Sequence, residues 1–311
     1  MRTGKGKSTL IWSLVLVLVL SLFLIGCEEE TTTTEAPPAA GEPAVGQPAP
    51  EQPAPEQPDP EMSGSATVRL TFAGSTTVQP LAQKLGEVYR QQNPNIELEI
   101  GAGGSRVGIE AVRNGTTDIG MASREIREEE KAPGMGIHQI AVDVLAIIVN
   151  PANPINQLSH EQLQNIYLGN ITNWSEVGGN DQPIEVVIRE VTSGTRGAFD
   201  DIVLEGAEPV ASATTQVTAG EVHTYVAEKA QAIGYVGFGH VGGDEVKVLL
   251  IDNVAPSPQS AIDGTYKLKR PLHLLTGPLS RPQAQLFVDF ALSPEGQQVV
   301  VEDGWVPVRG Q

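Results

Sequence analysis

Four short stretches pair a small hydroxyl residue with glycine or alanine where a strand-like run gives way to a helix-like one: "GSTT" at 74–77, "GGS" at 103–105, "ASR" at 122–124 and "TSGTR" at 192–196. A helix start leaves its first backbone N–H groups without partners, and a Ser or Thr hydroxyl caps them. The same N–H groups, at the positive end of the helix dipole, also bind anions. One such copy is a cap. Several copies on one side of a sheet can converge on one small anion, and four caps are the alternative. Three residues before the last copy, Arg189 ends the strand-like "IEVVIR" and offers a planar fork suited to an oxyanion, with Glu190 placed to orient it. Arg196 falls inside the following helix, and the expectation is that it points to solvent.

Other chemistries find less support. "GAGGSR" fails as a dinucleotide loop because Arg106 stands where the third glycine belongs, and "GKGKST" at 4–9 has no strand before it and lacks the P-loop's first glycine. The five histidines are scattered without metal spacing, and Ser193 has no nucleophile-elbow frame. Nothing asks for a metal, a cofactor or a catalytic group.

The elements that must position the four loops alternate. "ATVRLTFAG", "NIELEIGAGG" and "TDIGMAS" each precede a helix-like run, the third being "REIREEEKA". "DVLAIIVNP" is a continuous apolar run of the kind central strands show, after which a second strand–helix series begins. Such alternation implies an α/β fold with a largely parallel sheet. A chain that starts one unit, builds a second and returns suggests two lobes joined by crossover strands, with the ligand cleft between them.

The chain has 311 residues, one cysteine and a formal net charge of −18, which argues against nucleic acid as the ligand. Basic Arg2, Lys5 and Lys7 precede an apolar run ending in "LFLIGCEEE", the pattern of a secretory signal at 1–26. Leu-x-Gly-Cys resembles a bacterial lipobox with Cys27 as the lipidated residue; a short membrane anchor is the alternative. The Pro-, Glu- and Gln-rich stretch at 27–65 has almost nothing apolar to bury and reads as a solvated tether. Both readings put the folded part outside the cytoplasm.

Through the folded part, "AGSTTVQPL", "GGSRVGIEAVRNGTTDIGMASREI", "DVLAIIVNP", "IYLGNITNWSEVGG", "VVIREVTSGTRGAF", "AIGYVGF", "RPLHLLT" and "DFALSPEGQQVV" follow in order. This series resembles the phosphate-binding proteins of ABC phosphate importers. The resemblance implies a two-lobed periplasmic-binding-protein fold of type II, with 66–143 and 248–311 as lobe 1 and 144–247 as lobe 2. It implies a monomeric, non-enzymatic receptor, lipid-anchored outside the cell membrane or periplasmic, that delivers inorganic phosphate to permease subunits. A receptor for another oxyanion and a phosphate-sensing surface protein are the alternatives. Carried over residue by residue, its phosphate loops fall on Ser75, Thr76 and Thr77, on Ser105, on Ser123, and on Ser193, Gly194 and Thr195, with Arg189 as ionic partner. Some members carry an aspartate after the third-loop serine to accept the phosphate proton. Here Arg124 stands there, a second cation for the oxyanion, and Asp143 is expected to accept the proton ahead of Asp118.

Overall fold

A computed structural model describes residues 67–308. The leader at 1–26, Cys27 and the tether to 65 lie outside the described residues. The first unit runs β1 (Val68–Gly74), α1 (Val78–Gln92), β2 (Ile96–Ile100), α2 (Ser105–Arg113) and β3 (Ile119–Ala122), and the long β4 (Gly136–Val149) leaves it. The second contains β5 (Gln157–Leu158), α3 (His160–Leu168), β6 (Glu185–Arg189), α4 (Gly194–Ile202), β7 (Thr214–Gln216), α5 (Ala219–Glu228), β8 (Ala232–Gly237), β9 (Lys247–Val248), β10 (Leu250–Ile251) and α6 (Pro258–Ile262). The chain returns through β11 (Lys269–Thr276), α7 (Pro282–Ala291), α8 (Pro294–Glu302) and β12 (Val306–Pro307).

Strands order as β2-β1-β3-β11-β4-β8-β6-β7, with β9 and β12 also on β4 and β5 paired separately with β10. β1 runs parallel to β2 and β3, and β6 runs parallel to β7 and β8. Parallel neighbours place the loops after β1, β3 and β6 at their carboxyl ends, where open α/β sheets bind ligands. The first part of β4 pairs with β11 and its last five residues, Leu145 to Val149, pair with β8, so one strand carries the sheet from lobe to lobe. That is why its sequence is apolar without alternation: from Val144 onward every residue is buried.

Each lobe has its own core. In the first, Val78, Leu81, Ala82, Leu85 and Tyr89 of α1 recur at helical spacing and pack with Phe72, Phe287 and Trp305. In the second, Tyr167, Trp174, Phe199 and Tyr235 pack together, with the Phe199 and Tyr235 rings stacked at 4.0 Å. The return expected at 248 comes later. Leu249, Ile251, Ala261, Tyr266 and Leu268 belong to the second core, and pairing with β4 in the first lobe begins at Lys269. The helix expected over "REIREEEKA" is a single 3-10 turn, Glu128–Glu130, because the Glu130 carboxylate folds back onto the Arg127 N–H at 3.0 Å and onto Arg124.

Candidate functional site

The loop after β1 divides its three hydroxyls between tasks. Ser75 Oγ accepts from the N–H groups of Thr77 (3.2 Å) and Val78 (3.3 Å), capping α1. Thr76 Oγ1 accepts from the Arg189 guanidinium at 3.2 Å, and Thr77 Oγ1 lies 3.1 Å from Thr195 Oγ1 of the other lobe. Capping needs one of the three; the other two face across the cleft.

The remaining loops meet the first. Ser75 Oγ donates to Ser123 Oγ at 2.9 Å, and Ser105 Oγ accepts from the Ser123 N–H at 3.0 Å. Ser193 caps α4 by accepting from the Arg196 N–H at 3.3 Å. Gly194 opens α4 so close to the first lobe that a Cβ there would stand 2.0 Å from Ser105 Oγ and 2.7 Å from Ser123 Oγ. Only glycine lets this helix start approach. Ser75, Thr77, Ser105, Ser123, Ser193 and Thr195 are each at most 2 % exposed, a density of buried hydroxyls that a core does not need.

Arg189 closes the constellation. It is 1 % exposed, and its Nη2 donates to Thr76 and to the Val217 carbonyl at 2.7 Å. Its Nε and Nη1 are buried without a partner, and burial pulls its pKa down to about 10. Buried donors are normally satisfied, so two such atoms on a cation mark a place where an anion belongs. Glu190, expected to orient this guanidinium, instead accepts from Thr192 Oγ1 at 2.6 Å.

A second guanidinium was not singled out in the sequence. Arg270 is 2 % exposed, donates from Nη2 to Thr77 Oγ1 (3.1 Å) and from Nη1 to Ser123 Oγ (3.4 Å), and is gripped by Asp143 Oδ2 at 2.7 and 2.9 Å. Burial lowers its pKa while Asp143 opposes the shift. An arginine at the head of the mostly apolar "RPLHLLT" was a visible signal, but nothing in the sequence brought that strand to the cleft. Asp143 is thereby committed: its Oδ1 accepts from the Phe238 N–H at 3.1 Å, and it stands as the counter-ion of Arg270.

Three other charges differ from expectation or fall outside the cleft. Arg124 directs its guanidinium to both Glu130 oxygens at 2.6 Å and to the Glu125 carbonyl, and none of its hydrogen bonds reaches the hydroxyl loops. A carboxylate six residues away outcompetes the cleft. Arg196 is buried rather than solvent-facing, held by Asp200 at 2.6 Å and donating to the Arg189 carbonyl at 3.2 Å. Asp118 accepts from Thr71 N–H (2.9 Å), Thr71 Oγ1 (3.0 Å) and Arg281 Nη1 (2.8 Å), which ties β1 to the start of α7. Among the described residues no cluster of His, Cys, Asp or Glu is arranged to hold a metal.

Hydroxyls and helix starts from both lobes, two buried guanidiniums and one committed carboxylate define a receptor for a small oxyanion. The PBP superfamily model matches residues 38–295. The phosphate-binding protein PstS of Bacillus subtilis is 35% identical over 246 residues, covering 78% of this chain and 82% of its own. A phosphate ABC transporter substrate-binding protein of Clostridium perfringens, solved with bound phosphate, superposes with a TM-score of 0.75 at 35% identity over 78% of this chain and 100% of that one. An ABC-type phosphate transport receptor of Vibrio cholerae gives a TM-score of 0.65 at 34% identity over 77% and 100%. The chain belongs to the PBP superfamily and, within it, to the family of these PstS relatives.

Proposed function

We propose that this protein binds inorganic phosphate outside the cytoplasm and delivers it to the permease of an ABC importer. The observation that carries the reading is Arg189, whose two unpartnered buried donors stand among hydroxyl loops of both lobes. Ser75, Thr76, Thr77, Ser105, Ser123, Ser193, Gly194, Thr195, Arg189 and Arg270 form the phosphate site, with Asp143 holding Arg270. Each charge-assisted hydrogen bond contributes on the order of 1.5–3 kcal/mol net, so several support micromolar or tighter binding after ordering costs. A ligand bridging both lobes biases them toward closure, the signal a permease can read. The relatives named above support a binding rather than an enzymatic role.

Calorimetry against phosphate, arsenate, sulfate and a phosphate ester tests the ligand. Saturable one-to-one phosphate binding is expected, and a site that ignores phosphate overturns the reading. The leader and lone cysteine support attachment by lipid at Cys27. Because stable anchoring takes more than one acyl chain, Cys27→Ala is expected to release the protein from the membrane fraction. Retention after leader cleavage contradicts the anchor.

A further inference from the structure

Phosphate near neutral pH carries a proton that sulfate lacks, so a receptor that tells them apart needs an acceptor inside the cleft. The carboxylate expected there is already engaged: Asp143 takes two hydrogen bonds from Arg270 on Oδ2 and one from the Phe238 N–H on Oδ1. The turn that supplies this N–H carries a different acceptor. β8 ends at Gly237, where a Cβ would stand 2.5 Å from Asp143 Oδ2 and 3.0 Å from the Thr77 methyl, so the backbone is drawn against the site. Residues Phe238–His240 then form a 3-10 turn, and the His240 ring stacks edge-on against Trp305 with centroids 6.5 Å apart. Its Nδ1 is buried without any partner.

The charged groups around this ring are those of the cleft. Asp143 on β4, Arg270 on β11 and Arg189 on β6 lie near enough for their charges to act on the ring, and the main chain of Thr76 in the first hydroxyl loop acts on it too. From α5, which packs against the turn, His223 is engaged with the Val241 carbonyl at 3.2 Å and with Glu245 at 3.9 Å. Burial leads the causes that hold His240 below the usual histidine range, which keeps it neutral at pH 8. The neutral tautomer with Nε2–H leaves a bare lone pair on Nδ1.

We infer that His240 is a further ligand-contacting residue of the phosphate site and that its Nδ1 accepts the P–OH proton of bound phosphate. The inference rests on the phosphate reading above. It makes selectivity depend on pH in a defined way. At pH 8 the lone pair welcomes phosphate and repels the fully ionised sulfate oxygen. Because burial holds the free ring below the usual histidine range, sulfate brings its own proton: uptake on binding turns Nδ1–H into a donor, and sulfate affinity rises as pH falls.

The test is calorimetry of the full chain with inorganic phosphate and with sulfate at pH 8 and pH 5, for the parent, His240→Gln and His240→Ala. The parent is expected to prefer phosphate strongly at pH 8 and to gain about tenfold or more in sulfate affinity at pH 5. In His240→Gln that gain shrinks to less than about twofold, and in His240→Ala phosphate binding at pH 8 weakens by about tenfold. Sulfate binding that follows pH in His240→Gln as in the parent overturns the inference, as does unchanged phosphate affinity in His240→Ala. A parent that binds no phosphate overturns the functional reading instead. Should either variant fail to fold, ¹⁵N spectra of the parent's histidine rings give the answer directly. One non-protonated Nδ1 signal must shift on adding phosphate at pH 8, and if none does the proposal fails.

Discussion

Two buried polar centres in this molecule are built from the same residue types and do opposite things. Around Asp118, the carboxylate meets Thr71 through its N–H and hydroxyl and Arg281 through its guanidinium and N–H, so that acceptor and donors are matched. Around Arg189, hydroxyls crowd a cation that no carboxylate pairs with, and two of its nitrogens have no partner. A satisfied network contributes to folding; a network held one anion short contributes to binding. The contrast lies in the bookkeeping of donors and acceptors, not in the burial of the central charge, since Asp118 and Arg189 are each less than a tenth exposed.

Breaking the cleft should give the largest effect. Arg189→Ala is expected to weaken phosphate binding by about 2–5 kcal/mol, roughly thirtyfold to several thousandfold, because it removes a charge partner inside a closed site. The unliganded melting temperature should hold or rise, since an unpaired buried cation goes with it. A large loss of stability with affinity intact would move Arg189 to the Asp118 class.

His273 sharpens the comparison from a third side, as a buried group with unpartnered atoms that lies outside the hydroxyl cluster. Neither ring nitrogen has a hydrogen-bond partner, the nearest carboxylate being the exposed Glu125 at 4.0 Å from Nε2, and burial followed by the neighbouring His138 lowers its pKa to about 4. A histidine whose folded pKa lies below its unfolded value near 6.5 binds fewer protons when folded, so its contribution to stability falls as pH drops from about 6.5 toward 4. Over that window the parent is expected to lose up to about 3 kcal/mol relative to His273→Leu in urea unfolding, with phosphate affinity at pH 8 equal in both. A parallel pH dependence in the two proteins would remove His273 from the account.

Asp118→Ala should lower stability by about 2 kcal/mol, from leaving the Thr71 N–H and the Arg281 guanidinium unmatched, and change phosphate Kd by less than about twofold. An affinity loss above tenfold would restore Asp118 as a ligand.

Much of this was legible in the sequence, and the limits were physical. The four hydroxyl loops could be placed because each sits at a strand-to-helix junction, where local chemistry and topology coincide. Arg189 could be placed because it is three residues from such a junction. Arg270 and His240 could not, since they reach the cleft from β11 and from the turn after β8, and only tertiary pairing brings those elements to the loops after β1 and β3. Partners were harder still. Glu190 was expected to orient Arg189 and binds Thr192 instead, and Arg196 was expected in solvent but finds Asp200. In both cases the partner found is itself close in sequence, two and four residues away, so a short local bond wins over the expected arrangement. The chain returns later than expected because Tyr266 and Leu268 are apolar enough for either core, and geometry assigns them to the second.

Arg124 gives the smallest and most discriminating prediction. It follows Ser123 directly and is 6 % exposed, so sequence position and burial alone make it look like a second ligand cation. Its hydrogen bonds say otherwise. Both terminal nitrogens meet Glu130, whose pKa stays below the usual range although burial pushes it up, because bonds from Arg124 and the Arg127 N–H outweigh that push. An arginine bound at both nitrogens by a carboxylate has little charge left to offer an anion. Arg124→Ala should therefore cost about 1–2 kcal/mol of stability, less than a fully buried pair because Glu130 keeps 15 % of its side chain in water. Phosphate Kd should move by less than about threefold, through the Arg124 stem that lies against Gly197 of the other lobe. The double variant Arg124→Ala with Glu130→Gln should recover most of the lost stability, since the carboxylate left alone is the main cost. If instead the single variant binds phosphate more than tenfold weaker while the double variant regains stability but not affinity, Arg124 leaves Glu130 on ligand binding, and the two classes of buried charge are not separable by the closed geometry alone.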